Sequence, residues 1–290
     1  MSADFCSDDA FFKRRVITID DLDDPRLRPY WNLRERTLRG ESIFIAEGAL
    51  VVERLLRSPY KVSSVLTTHK ESGFGACLSL VPDSVPIYYV DERVAANKLL
   101  GFEFHQGVLA LGQRAELPTL VEGMDSFFQS GSPTDSRRAW VVLPDATKAD
   151  NLGLAFRCAA ALGAEAVVLG ESCCDPFSRR ALRVSMGGVL QTRIYQAKNL
   201  LEEIEEVRKR WRVPFFATTL DADSVSIYEF KQGFENKLAA FVFGNEYMGL
   251  TREQVSACDR KITIPMRADV DSLNLGVSVG IFLYEFNRNC

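Results

Sequence analysis

Two kinds of apolar pattern alternate along this chain. Short continuous runs have strand length, and longer stretches return an apolar residue every third or fourth position, as on one face of a helix. Early in the chain, strands are predicted at 43–46, 62–67, 86–90 and 108–111. Helices are predicted at 27–38, at 47–56, where Leu50, Val51 and Leu55 share a face, and at 91–100, with Asp91 placed to cap it. The pattern fades between 113 and 138 and ends in SGSPTDSRR, a cluster of turn formers that marks 116–138 as a linker. From Trp140 strands return at 140–143, 166–169, 193–195 and 214–219, then at 239–243 and 262–264. Helical patterns at 152–162, 176–184 and 200–211 separate them, each long enough for a parallel crossover. The expected fold is α/β: an acidic tail at 1–24, a small α/β domain at 25–115, and a parallel sheet covered on both faces at 139–290.

The last two strands are followed at once by polar and small residues. Gly244-Asn245 ends the first, in a turn that holds Glu246; Pro265 closes the second. Asp271 or Ser272 is placed to cap a final helix whose Leu273, Val277, Ile281 and Phe282 fall on neighbouring turns of one face. In parallel α/β sheets ligands sit beyond the carboxyl ends of the strands, where loop amides and helix N-termini are free to bind. Asn245, Glu246, Ser272 and Asn274 therefore stand where a site is expected.

Composition narrows the function classes. With 290 residues, 47% of them hydrophobic, two domains can each bury a core. The start, MSADFCSDDAFFKRR, mixes charges through its apolar residues and does not read as a secretory signal. The most apolar helical stretch is too short to span a bilayer, so a cytoplasmic protein is expected. Seven cysteines, with no CxxC and no histidine at ligand spacing, read as free thiols and predict no metal site; vicinal Cys173-Cys174 is a poor candidate for a bridge. A net charge of −4 argues against a protein that coats nucleic acid, but Arg26, Arg28, Arg34, Arg36 and Arg39 lie close together against one acid, Glu35. They form either a solvated helix face or a local patch for phosphates.

A second cluster opens the helix after the first strand of the larger domain, where Asp150-Asn151-Leu152-Gly153 is followed by Arg157. Taken in order, NxGxxxR, then FGNExxGL (243–250), then IPM (264–266) and SLN (272–274) resemble the three motifs of the SpoU (TrmH-like) branch of the SPOUT RNA methyltransferases. Upstream, FIAEGALVVERLL and HQGVLAL, with His105 and Gln106, look like the L30e-like substrate-binding domain often fused before it. No glycine-rich GxGxG loop follows the first strand, which disfavours a Rossmann-type enzyme.

The resemblance implies a deep trefoil knot, a homodimer with a shared active site, S-adenosylmethionine as cofactor, and methyl transfer to a ribose 2'-hydroxyl of RNA. Ribosomal RNA is the expected target. Transfer RNA, and a catalytically silent knotted RNA-binding or assembly factor, are the alternatives. Thr219, Leu220, Phe243, Gly244, Asn245, Gly249, Ile264, Met266, Leu273 and Asn274 are the residues implied to hold the cofactor. The resemblance implies that Arg157 is essential and gives it the activating role; because guanidinium stays protonated, a phosphate anchor is the alternative to a base. Asn151 would position Arg157 or the ribose; Glu246, Ser272 and Asn274 would hold the motif geometry. Arg26, Arg28, Arg34, Arg36, Arg39, His105 and Gln106 are the implied RNA contacts, with charge added by residues 13–15.

Two departures stand out. The family commonly has Gly where this chain has Tyr247, which either narrows the pocket mouth, stacks on a base or is a buried structural aromatic. It usually reads SLNVS where this chain reads SLNLG; Gly276 and Gly280 serve a dimer contact or internal packing.

Overall fold

The computed structural model describes residues 16–33, 38, 41–68, 77, 79–91, 99–101, 107–131, 137–232, 234, 238–267 and 272–288. The chain folds as two compact units, one of residues up to Ala115 with Phe177–Leu190, the other of Glu116–Pro176 and the residues from Gln191 onward.

In the first unit, β1 (Val16–Thr18), β2 (Ile43–Glu47), β3 (Val62–Thr67), β4 (Ile87–Tyr89) and β5 (Val108–Gln113) form one sheet, in the order β1-β4-β3-β5-β2. β1, β4 and β3 run parallel, and β5 is antiparallel to both β3 and β2. Helix α1 (Ala49–Leu56) follows β2 and buries Val51, Val52 and Leu55. β1 lies inside the stretch read as a tail, paired Val16 to Ile87. The helix expected at 27–38 is replaced by a 3-10 helix at Pro25–Tyr30. Pro25 suits the first helical position, but Pro29 inside the turn has no amide hydrogen to donate and stops an α-helical ladder, and Asp24 caps the short turn through the Arg26 amide at 2.9 Å. Residues 34–37 of that expected helix, and 92–98 of the one at 91–100, lie outside the described residues. Tyr30 reaches into the core, where its hydroxyl meets Ser64 Oγ at 2.7 Å and burial pushes its pKa up.

The segment Phe177–Leu190, which the sequence pattern assigns to the larger domain, packs with this first unit. The Phe177 ring lies 5.0 Å from Phe44 and 5.3 Å from Tyr60, and Arg179 donates to the buried Glu47 carboxylate at 2.7 Å.

The second unit is built on β6 (Arg138–Leu143), β7 (Ala166–Leu169), β8 (Ile194–Gln196), β9 (Phe215–Thr218), β10 (Val225–Ser226), β11 (Leu238–Phe243) and β12 (Arg260–Thr263), all parallel, in the order β10-β12-β9-β11-β6-β7-β8. Its helices are α2 (Leu120–Gln129), α3 (Ala149–Ala161), α5 (Leu200–Trp211), α6 (Ile227–Gln232), α7 (Arg252–Ser256) and α8 (Leu275–Asn287), with α4 (Arg179–Val184) falling in the first unit. The stretch read as a linker thus contains α2. Thr119 and Glu122 cap it reciprocally, at 2.7 and 3.2 Å, and Leu120 and Met124 are buried in the core. Gly123 weakens its helical pattern, but a Cβ there would stand 2.4 Å from the Tyr195 ring.

Alternation along the strands sends successive side chains to opposite faces. Trp140, Val142, Ala240 and Val242 join Met124, Tyr195 and Ile204 in one cluster, with Trp140 and Tyr195 stacked at 5.2 Å. The alternate residue Phe241 instead meets Phe282 at 5.5 Å and Phe286 at 5.2 Å on α8. Each fully buried phenylalanine contributes about 2 kcal/mol.

Helix α8 packs against α3 through its glycines. A Cβ at Gly276 would stand 2.3 Å from Leu154 Cγ, and one at Gly280 would stand 3.3 Å from Cys158 Sγ. Their spacing therefore serves internal packing. In the sheet, Thr218 at the end of β9 pairs with Phe243 on one side and Ile262 on the other, so three neighbouring strands end level.

Candidate active site

Beyond these three strand ends lies a cavity of about 480 Å³. The chain after β9 contributes Thr219 and Leu220 to its wall, and the end of β11 contributes Phe243 and Gly244. Ile264 and Met266 follow β12, and Ser272 and Leu273 lead into α8. Every cofactor-holding residue expected from sequence except Asn274 lines this space, as do Glu246 and Ser272.

The turn after β11 is closed by its own backbone. Asn245 N donates to Gly249 O at 3.0 Å, and Gly249 N returns a bond to Asn245 O at 2.8 Å. Gly249 has φ +65°, and a Cβ on Gly244 would lie 2.4 Å from the Gly249 carbonyl carbon, so both positions require glycine. The Asn245 side chain also has a structural role: its Nδ2 donates to Asp145 O at 2.9 Å, and its Oδ1 accepts the Tyr247 amide at 2.9 Å.

A side-chain chain of bonds joins the three motif regions. Asn274 Nδ2 donates to Asn151 Oδ1 at 2.9 Å, and Asn151 Nδ2 donates to Glu246 Oε1. Asn274 Oδ1 in turn accepts Gly276 N at 2.9 Å and caps α8, the place expected for Asp271 or Ser272. Asp271 itself lies outside the described residues. Glu246 Oε2 is buried with no hydrogen-bond partner among the described residues, an acceptor available to a donor in the cavity.

Arg157 is exposed on α3 and is not part of the cavity wall. Six residues separate it from Asn151, about 9 Å along the helix and about 120° around it, so the two cannot face the same side. Arg26 and Arg28, in the first unit, are exposed, and Arg26 is paired to Asp24, whose carboxyl it holds down at about 2. Arg34, Arg36, Arg39, His105 and Gln106 lie outside the described residues.

Sequence reasoning did not name Thr218, Ile262, Thr263, Met248, Leu275, Ser278 and Phe282 as cavity residues. The last three recur at helical spacing on α8, a signal that was present. Tyr247 also lines the cavity, and it is exposed rather than buried. Lys148, the residue before α3, donates to the Tyr247 hydroxyl; that bond raises the lysine's pKa, with the Glu246 charge adding to it. Cys173 and Cys174 are thiols and form no disulfide; Cys173 Sγ donates to Leu143 O at 3.0 Å, and burial pushes its thiol up to about 12. Among the described residues no group of histidine, cysteine and carboxylate side chains is arranged to hold a metal, and no helix is long and apolar enough to cross a membrane.

Residues 138–284 match the SpoU rRNA Methylase family. An uncharacterised tRNA/rRNA methyltransferase of Mycobacterium tuberculosis is 30% identical over 287 residues, covering 94% of this chain and 92% of that protein. The chain belongs to the SpoU methylase family. Another relative of this SpoU methylase is the 23S rRNA (guanosine-2'-O-)-methyltransferase RlmB of Acinetobacter baylyi, 32% identical over 68% of the chain and 76% of that protein. Among solved structures, the AdoMet-bound rRNA methyltransferase from Sinorhizobium meliloti superposes with a TM-score of 0.71 at 25% identity, covering 94% of this chain and 98% of that one. AviRb from Streptomyces viridochromogenes, in complex with AdoMet, shares the fold at a TM-score of 0.74 and 18% identity.

Proposed function

We propose that this SpoU methylase transfers a methyl group from S-adenosylmethionine to a ribose 2'-hydroxyl of ribosomal RNA. The observation that carries the proposal is the cavity at three level strand ends, tied to α3 and α8 by the Glu246–Asn151–Asn274 bonds. Its donor set suits the cofactor. Phe243, Ile262 and Phe282 offer an apolar slot, Gly244 a close backbone approach, and Glu246 Oε2 an open acceptor. When bound, S-adenosylmethionine supplies an electrophilic methyl on a sulfonium centre.

The chain's own residues supply position. Glu246, Asn151 and Asn274 hold the loops in one register, so that a hydroxyl and a methyl donor are kept in line. Transfer would form the oxygen–methyl bond as the sulfur–methyl bond breaks and the donor leaves as a neutral thioether, with the hydroxyl proton passing to the neighbouring phosphate or to water. Arg157 holds that phosphate bidentately. Because Arg157 stands outside the cavity of a single chain, this role requires a second copy whose α3 meets the cavity mouth, and supports the homodimer reading. The strand order, with β12 between β10 and β9, is consistent with the trefoil knot that the family resemblance implies. Retention of Arg157, Asn151 and Glu246 speaks against a silent binding factor.

The test is labelled methyl transfer to separated ribosomal and transfer RNAs from cells lacking the protein, followed by mapping of the modified ribose. Label in a ribose of ribosomal RNA is expected; label in transfer RNA alone would change the substrate, and no label in either would refute the reaction. Arg157→Ala is expected to abolish transfer while S-adenosylmethionine still binds.

A further inference from the structure

Tyr247 and Met248 are 73% and 86% exposed, yet they do not hang from a loose loop. The paired main-chain bonds of Asn245 and Gly249 close the turn that carries them, and Asn245 Oδ1 holds the Tyr247 amide. Both side chains line the cavity. Lys148 Nζ bonds the Tyr247 hydroxyl and lies 4.3 Å from the centre of the ring. A closed turn thus presents an aromatic ring and a thioether to water, beside an ammonium group, at a cavity lined by strand ends.

Two features decide what such a surface fits. Large apolar side chains left in water forgo the free energy of burial, and the turn does not need the Tyr247 ring to close. The cation beside the ring then narrows the occupant. An apolar peptide would use the ring but not the ammonium, whereas a nucleotide has a flat π face and, one sugar away, an anionic phosphate.

We infer that Tyr247 and Met248 form a stacking platform for a nucleobase of the RNA, and that Lys148 fixes the ring and offers its charge to that nucleotide's phosphate. The inference rests on the RNA reading above and extends it, because a base seated there must be unstacked from its neighbours. The substrate class is therefore a single-stranded or looped segment. Stacking tolerates every base, so the platform sets affinity and placement rather than base identity.

The test measures binding of a short single-stranded oligouridylate, and of the matching abasic ribose-phosphate chain, to the full chain. Tyr247→Ala is expected to weaken oligouridylate binding about 10–100-fold and to leave the abasic chain unaffected. Tyr247→Phe, which keeps the ring, should stay within about threefold of the original protein. Lys148→Ala should weaken both ligands and lower the salt dependence of binding. In Tyr247→Ala, S-adenosylmethionine affinity should fall less than oligouridylate affinity, and the thermal midpoint should be unchanged. The inference is overturned if Tyr247→Ala binds oligouridylate as the original does, if it loses the abasic chain equally, or if it loses the cofactor to the same degree, which would make the residue a cofactor lid. Methyl transfer by the unaltered enzyme is a separate readout: its failure would refute the reaction, while the oligonucleotide comparison still judges the platform.

Discussion

Two loops that border the same cavity are held in opposite ways. The turn from Gly244 to Gly249 is locked by its own backbone, by Asn245 on Asp145, and by Glu246 on Asn151. The loop from Thr219 to Ser224 is tied by a hydroxyl pair, Thr219 Oγ1 to Ser224 Oγ at 2.7 Å, and by Lys261 reaching Asp221 and Asp223 at its surface. The Asn245 and Asn151 side chains join distant elements through part-buried bonds, and removing one partner strands the other. In the second set the Lys261 pairs are at the surface and screened by solvent, while the hydroxyl pair is part-buried. The β11 turn is thus cross-braced to other elements by side chains, whereas the β9 loop is held by its hydroxyl pair, by Thr219 N on Ile262 O at 3.0 Å and by surface ion pairs.

The sharpest way to break this contrast is Gly244→Ala. Its Cβ would meet backbone 2.4 Å away, which cannot rotate aside, and Gly249 already occupies a left-handed conformation. A loss of about 2–4 kcal/mol in denaturant unfolding is expected, with cofactor binding lost in the protein that remains folded. Asn151→Ala comes next. It leaves the Glu246 carboxylate and the Asn274 amide without their bridge, and should cost about 1–3 kcal/mol. Methyl transfer should fall about 100-fold, because the two loops lose their common register. Calorimetry and transfer assays on the same preparation check both. Lys261→Ala is the weakest of the three: the unfolding midpoint should stay in place at moderate salt, and transfer should change little. A large loss there would erase the distinction between the loops.

Much of this arrangement was legible in the residues, for physical reasons. Long apolar runs between turn formers leave few alternatives, so the strands at 166–169 and 239–243 fall where the pattern puts them. The structure gives Gly244 a steric reason to be glycine, whereas around Gly249 there is open space and the requirement is its φ of +65°. Where propensity was diluted by tertiary demands the reading failed. The helix Leu120–Gln129 carries Gly123 because Tyr195 occupies the space of a side chain, and that glycine made a helix resemble a linker. Over 27–38 the pattern suggested an α-helix, which Pro29 interrupts. The cavity contribution of Leu275, Ser278 and Phe282 was hidden for another reason: periodicity shows that residues share a helix face, but not which neighbour that face meets. The outward placement of Arg157 was predictable from helix geometry, since six residues carry it a third of a turn away from Asn151.

The glycines of α8 settle a question of geometry beyond their own contacts. Leu154 fills the notch at Gly276 and Cys158 abuts Gly280, so that stripe has no room to seat a matching stripe from another molecule. Any twofold partner has to approach along a different flank of the helix. Val277, Ile281 and Tyr284 supply one, a partly uncovered apolar row spaced at four and then three residues. A single helix can in this way face its own fold with small residues while offering large ones outward.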